Sequence, residues 1–391
     1  MDAHGLKDAV KREIDARREE LVALSRRIHD NPELGFHEYQ ASAWLTEYLQ
    51  ANGFQVAKGI AQLETAFKAT YGQGKPAIVF LAEFDALPKL GHACGHNLIA
   101  GSAVGAAIAG KLVVDKLGGT VVVMGTPAEE LWSAKAIMVD RGAFQGLDAA
   151  MIVHPGVDNC AYARSLARNG IEVEYFGHAA HAASRPEDGI NALDAMIIAI
   201  NAINALRQQI KDKARIHGII TSGGSAANVI PDYTSARFLV RAEDNEYLDN
   251  LRERVLHCFE AGALATGCRL EYKWADVRAA AMQTNSVLAD AFAENLVSLG
   301  REVMPLDPNT SLGTTDTGNV SLVIPTIHPR TAIAPPHVAG HSPEFREAAT
   351  SEAGWQGMLD GAKAMAMTLV DLLTDKDLLP KVQAEFKQKA K

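Results

Sequence analysis

The segment Gly91-His92-Ala93-Cys94-Gly95-His96-Asn97 places a thiol and an imidazole two residues apart at the edge of an apolar run. A thiolate and an imidazole so spaced can grip one transition metal, provided other ligands arrive from elsewhere in the chain. Suitable donors exist: Glu129-Glu130 after the apolar run 120–124, His154 after Met151-Ile152-Val153, and His341 between Gly340 and Ser342-Pro343. Each lies where a buried element ends, which is where sites are usually built. Adjacent carboxylates point in different directions, so one can bind a metal while the other faces a water as general base. Two further segments, Gly177-His178-Ala179-Ala180-His181-Ala182 and Asn228-Val229-Ile230-Pro231-Asp232, could polarise a carbonyl through an imidazole or amide N–H. Each feature alone also fits a plainer reading: a buried cysteine, a solvated acidic turn, structural histidines, turns at strand ends. If 92–96 is extended, residues two apart share a face, and His92 converges with Cys94 and His96 either as ligand or as support.

The elements that must position these residues change character along the chain. Residues 6–28 carry apolar positions at helical spacing and read as one surface helix, broken by Asn31-Pro32. A second amphipathic helix follows at about 38–52. Buried strands are expected at 76–82, 120–124 and 149–153, separated by a small-residue helix near 98–117 and a helix at 134–141. Strands alternating with helices argue for an α/β domain with a mostly parallel sheet. From about Arg168 to Val277 the order becomes strand, helix, strand, strand, helix, strand, which is a split βαβ arrangement with an antiparallel sheet. The expected organisation is a discontinuous catalytic domain, 1–167 and 278–391, carrying an inserted α+β domain, 168–277.

Bulk properties narrow the function classes. At 391 residues two domains are the default. A net charge of −9 argues against nucleic acid or an anionic membrane as the main partner. The densely charged residues 1–18 lack an apolar signal core, and the small-apolar run 98–110 ends at Lys111, too short for a membrane span. The four cysteines show no disulfide framework, which suits a reducing cytoplasm. No C-x-x-C is present, so the zinc nucleobase-deaminase signature is excluded.

Taken in order, the segments 31–36, Asp85-Ala86-Leu87-Pro88, His92–His96, Pro127-Ala128-Glu129-Glu130, Val153–Gly156, Gly177–Ala182, Asn228–Asp232, Thr315–Val320 and Gly340-His341 resemble metallopeptidase family 20. The likeness is to its amidohydrolase branch, which contains aminoacylase-type, hippurate and aminobenzoyl-glutamate hydrolases. That resemblance implies two divalent metal ions, Zn²⁺ or Mn²⁺, held by Cys94, His96, Glu130, His154 and His341. It implies Glu129 as general base and proton donor, with His181 and Asn228 from the inserted lid holding the scissile carbonyl. It further implies a homodimer made through the lid domain. The expected reaction is hydrolysis of an amide in an N-acyl amino acid or dipeptide-like substrate. The alternatives are hydrolytic deamination of an aromatic amine on the same scaffold, or a non-catalytic metal-binding paralogue. Asn97, Ile99 and Glu83 depart from the common branch pattern of Asp, His and Asp. Asn97-Leu98-Ile99, together with Asn228–Thr234, looks more like the aminobenzoyl-glutamate and β-alanyl-lysine dipeptidase subgroup, and the departures cost none of the five implied ligands.

Overall fold

The computed structural model describes residues 2–307 and 313–389. The described residues divide into two compact units: 2–164, 282–307 and 315–389 form one, 165–281 with 313–314 the other. In chain order the described strands are β1 (Gln55–Lys58), β2 (Phe67–Gln73), β3 (Ala77–Ala82), β4 (Gly119–Gly125), β5 (Ala149–Met151), β6 (His154–Gly156), β7 (Ala167–Phe176), β8 (Arg215–Ser222), β9 (Tyr233–Ala242), β10 (Arg269–Trp274), β11 (Thr326–Ile327) and β12 (Arg330–Ala332).

In the first unit β1-β2-β4-β3-β5-β11 form one mixed sheet. Its centre is parallel: β3 pairs with β4 and β5, and β5 with β11. The antiparallel pair β1-β2 extends one edge. Strands β3, β4 and β5 are buried at every position, which explains their unbroken Val, Ile and Ala runs and the absence of alternation. Strand β2 alternates weakly and was not expected from the sequence.

The N-terminal helix is two helices, α1 (Ala3–Ala16) and α2 (Arg18–Asp30). Arg17 leaves helical geometry, and its guanidinium bonds Glu13 and Glu20 across the break. The apolar stripe Leu6, Val10, Ile14, Leu21, Leu24, Ile28 stays buried throughout, so hydrophobic spacing carries no trace of the interruption. Next come α3 (Tyr39–Ala51) and α4 (His96–Leu117). Helix α4 is long and apolar enough to cross a membrane, but 89% of its most apolar window is buried, and it packs against the helix Glu352–Thr374. Its glycines permit that approach: a Cβ on Gly101 would lie 2.3 Å from Met358 Sδ. Two short helices follow β4, α5 (Glu129–Trp132) and α6 (Ala134–Asp140).

The second unit is an antiparallel sheet, β10-β7-β9-β8, backed by α7 (Ala192–Leu206) and α8 (Asn245–Thr266). Strand β7 buries alternate residues, Ile171, Val173 and Tyr175 among them, against these helices, as a one-sided sheet requires. Asn191 caps α7, accepting from Leu193 N at 2.9 Å.

Candidate metal and hydrolytic centre

Three turns bring the donors together at one end of the parallel strands. The first is the loop after β3. His92–His96 is not an extended strand: Gly95 adopts φ 81° and caps α4, whose first residue is His96. A Cβ at Gly95 would lie 2.5 Å from Pro155 Cγ, so the residue must be glycine on both steric counts. The turn, rather than strand alternation, directs Cys94 and His96 to one place. His92 is buried, with its ring centroid 6.0 Å from that of His29, and belongs to no donor cluster among the described residues. It supports the loop.

The second turn follows β4. Ala128 sits at φ 54°, a conformation costly for an alanine, and opens α5 with Glu129 and Glu130 in its first turn. Buried Glu38 holds this strained residue, accepting from Ala128 N at 2.8 Å and from Thr65 Oγ1 at 2.8 Å. Burial, with Asp85 nearby, pushes Glu38 up to about 7. The third turn holds His341 at φ 59°, its N–H donating to Ala93 O at 3.0 Å. The His341 loop is thereby tied to the cysteine loop.

The resulting geometry is that of overlapping donor groups. Cys94, His96 and His154 form one; Cys94, Glu130 and His341 form another; within each, the donor atoms lie within 4.8 Å of one another. Cys94 Sγ is 3.4 Å from His154 Nε2, and Glu130 Oε1 is 3.4 Å from His341 Nε2. Donors at tetrahedral angles around one ion, at bonds of 2.0–2.3 Å, stand about 3.4 Å apart. The structure therefore brings together all five side chains singled out as ligands.

Ring orientation supports the fit. His96 Nδ1 faces two acceptors, Asp85 O at 2.9 Å and Asp85 Oδ1 at 3.0 Å, so Nδ1 carries the proton and Nε2 faces the cluster. His154 Nδ1 likewise faces Pro155 O at 2.6 Å, leaving Nε2 toward Cys94. Such outward hydrogen bonds fix the tautomer a metal needs. His96 Nε2 is buried and has no hydrogen-bond partner among the described residues. Thiolate, imidazole and carboxylate donors together suit Zn²⁺ or Mn²⁺.

The electrostatics are those of a crowded acidic pocket. Burial, reinforced by Glu83 and Asp316, holds the Glu129 carboxyl well above the usual range. Burial acts the same way on Glu130, but His341 and His96 outweigh it and hold that group low. Burial pushes the Cys94 thiol up, and burial pushes His154 down. His96 would also be lowered by burial, yet Cys94 and Asp85 carry it well above its ordinary value. A compact cation among these groups would favour the anionic forms of Cys94 and the neighbouring carboxylates, which burial opposes.

Several supporting residues were not recognised as such from the sequence. Asp85 reaches both sides of the centre, accepting from Glu130 N at 3.1 Å as well as from His96. Lys135 on α6 is fully buried, its Nζ 2.7 Å from both Glu83 Oε1 and Asp316 Oδ1. His328 lies against His154 with ring centroids 5.3 Å apart, its Nε2 buried and without a hydrogen-bond partner among the described residues. The available signal was a charge inside an otherwise apolar segment: Glu83 between Ala82 and Phe84, Lys135 between Ala134 and Ala136. Asn97 points away from the cluster, its amide donating to Ser25 Oγ and Ala349 O. An aspartate there would set a negative charge against that carbonyl, so the asparagine is a packing requirement of this chain.

In the second unit His181 and Asn228 are neighbours: His181 bridges Val229, and Ala182 N donates to Asn228 O at 3.1 Å. His181 Nδ1 accepts from Ala183 N and Ser184 N, so its proton is on Nε2, available as a donor. Both side chains are exposed on that unit.

A family model described as the peptidase dimerisation domain matches residues 168–266. The chain is 38% identical to a mouse Xaa-Arg dipeptidase over 98% of this chain and 93% of that protein. The chain belongs to the M20 metallopeptidase family. It is therefore a hydrolase. It is also 30% identical to a p-aminobenzoyl-glutamate hydrolase polypeptide of Escherichia coli, over 96% of this chain and 93% of that one. Among solved structures, a dinuclear metal-binding M20 peptidase from Bacillus subtilis aligns with a TM-score of 0.66 at 22% identity, covering 89% of this chain and 98% of that chain. The fold expected from the sequence, a mostly parallel α/β sheet with an inserted α+β unit, is the fold observed.

Proposed function

We propose that this M20 hydrolase cleaves the amide bond of a dipeptide or N-acyl amino acid with the help of two divalent metal ions. One observation carries the reading: Cys94, His96, Glu130, His154 and His341 converge with Cys94 common to two donor groups, and Glu129 stands beside them. Two donor groups sharing a thiolate suit two ions, with Cys94, His96 and His154 on one side and Cys94, Glu130 and His341 on the other. Divalent ions there supply Lewis acidity and a more acidic water.

The remaining steps belong to the protein. Glu129, whose carboxyl burial and the nearby Glu83 hold well above the usual range, takes a proton from the attacking water and returns it to the departing amine nitrogen. Glu130 is kept ionised by its histidines and serves as a ligand, so the two adjacent carboxylates divide the work. His181 Nε2–H and the Asn228 amide are donors for the developing oxyanion. The free state of all four cysteines fits a reducing compartment, and cytoplasmic residence completes the proposal.

The test is direct. Dialysis against a strong chelator abolishes hydrolysis, and Zn²⁺ or Mn²⁺ restores it. Dipeptides ending in arginine come first in the substrate panel, given the relative named for them; aminobenzoyl-glutamate and N-acyl amino acids follow. Activity indifferent to chelation refutes the metal reading. Ammonia released in place of an amino acid refutes amide cleavage.

A homodimer through the second unit is part of the same proposal. Strand β8 closes one end of the sheet and exposes Ile219 at 65% and Ile220 at 42%. An apolar edge strand with unpaired backbone groups is a template for another chain. Replacing both isoleucines by lysine is expected to convert the dimer to a monomer in sedimentation velocity; an unchanged sedimentation coefficient sends the interface elsewhere.

A further inference from the structure

The reading above, on which this inference rests, leaves Glu83 without a task. Its side chain follows β3, is 1% exposed, and is placed by two contacts. Oε1 lies 2.7 Å from Lys135 Nζ. Oε2 lies 3.4 Å from His96 Nε2, the one ring atom His96 offers inward. That second contact fails as a hydrogen bond, since His96 Nε2 has no partner by geometry among the described residues. With Nδ1 holding the only ring proton, the Nε2 lone pair and the carboxylate oxygen face each other at 3.4 Å in a dry interior and repel unless a proton or a metal cation sits between them. Lys135 is not that cation, because its Nζ is directed to Glu83 Oε1 and Asp316 Oδ1. The separation equals that of Cys94 Sγ from His154 Nε2 and matches donors sharing one ion.

We infer that Glu83, which stands beside His96 and groups with Glu129 and Asp316, is a further metal donor to the ion that His96 holds. Charge balance favours it. Cys94 as thiolate with two neutral imidazoles offers one negative charge to a dication; Glu83 supplies the second. Lys135 and Asp316 are then positioning residues. Asp316 takes both Nζ and the backbone N–H of Lys135, at 2.7 and 2.8 Å, and the fixed ammonium holds Glu83 Oε1 so that Oε2 faces His96. A carboxylate held by a buried ammonium is a pre-set ligand that needs no rearrangement on binding.

The experiment measures metal rather than turnover. Wild type, Glu83→Gln and Glu83→Asp are loaded with Zn²⁺, dialysed, analysed for metal per chain, and titrated against a chromophoric chelator. Wild type is expected to hold two ions. Glu83→Gln is expected to retain one and to bind the other about a hundredfold more weakly, at the upper end of what loss of a supporting group costs. The aspartate keeps the charge beside Lys135 but is one carbon shorter, about 1.5 Å; it is expected to weaken the same ion at least tenfold while folding normally by circular dichroism. Should glutamine unfold the chain, the aspartate variant alone decides. Two ions held with unchanged affinity in the variants overturn the assignment of Glu83 and leave the two-metal reading standing. A wild-type protein that holds fewer than two ions overturns that reading, and this inference falls with it.

Discussion

Glu129→Gln is expected to lower kcat about a thousandfold, within the usual range for removing a general acid–base group, while two metal ions remain bound and the fold is unchanged. The substitution is nearly isosteric and removes only the ability to take and return a proton. Two contacts explain why the loss should fall on kcat. Glu129 shares one donor group with His96 and Glu130 and another with Glu83 and Asp316, so it borders the proposed ions without being needed by Cys94 or His341. The strained turn at Ala128 is held by Glu38 through a backbone N–H, which the substitution leaves in place. KM should therefore change little, since the side chain acts on the water and the leaving nitrogen rather than on the bound substrate. Single-turnover kinetics and metal analysis on one preparation check the prediction. Turnover within threefold of wild type removes Glu129 from the mechanism; loss of metal makes it a ligand.

How much of this was legible beforehand depended on the range of the interactions involved. The buried strands β3, β4 and β5 announced themselves as apolar runs because both faces are covered. The second unit was legible because one-sided burial leaves alternation in β7 and a stripe in α7. Donor residues were legible as types at element ends. The break at Arg17 was not, since the apolar stripe crosses it unbroken. The convergence of Cys94 and His96 was expected for a different reason from the real one: a left-handed glycine does what strand pleating was expected to do. Least legible was the buried support. Glu38, Asp85 and Asp316 meet partners 11 to 181 residues away, and no local pattern encodes such pairings. Only the isolated charges of Glu83 and Lys135 in apolar surroundings marked where they would occur.

That support should dominate the stability of the first unit in the metal-free state. Lys135 is fully buried with two carboxylates at 2.7 Å, and although burial alone would lower its pKa, Asp316 and Glu83 hold it above the ordinary lysine value. Removing one partner of a buried ion pair strands the other charges without water, a cost of about 3–5 kcal/mol. Lys135→Met is thus expected to destabilise the metal-free protein by that amount, read as a lowered urea midpoint for the transition that reports the first unit. The companion double variant Lys135→Met/Asp316→Asn separates charge from shape. Asparagine retains an oxygen to accept the backbone N–H of residue 135, now 2.8 Å from Asp316 Oδ2, while removing one stranded charge. The double variant should recover a large part of the lost stability despite carrying two substitutions. If instead the two effects simply add, the ammonium is replaceable packing, and the buried carboxylates must be neutralised by protons rather than by Lys135. Recovery would establish that this protein keeps a permanent cation under its hydrolytic centre, holding the acidic pocket together before any ion arrives.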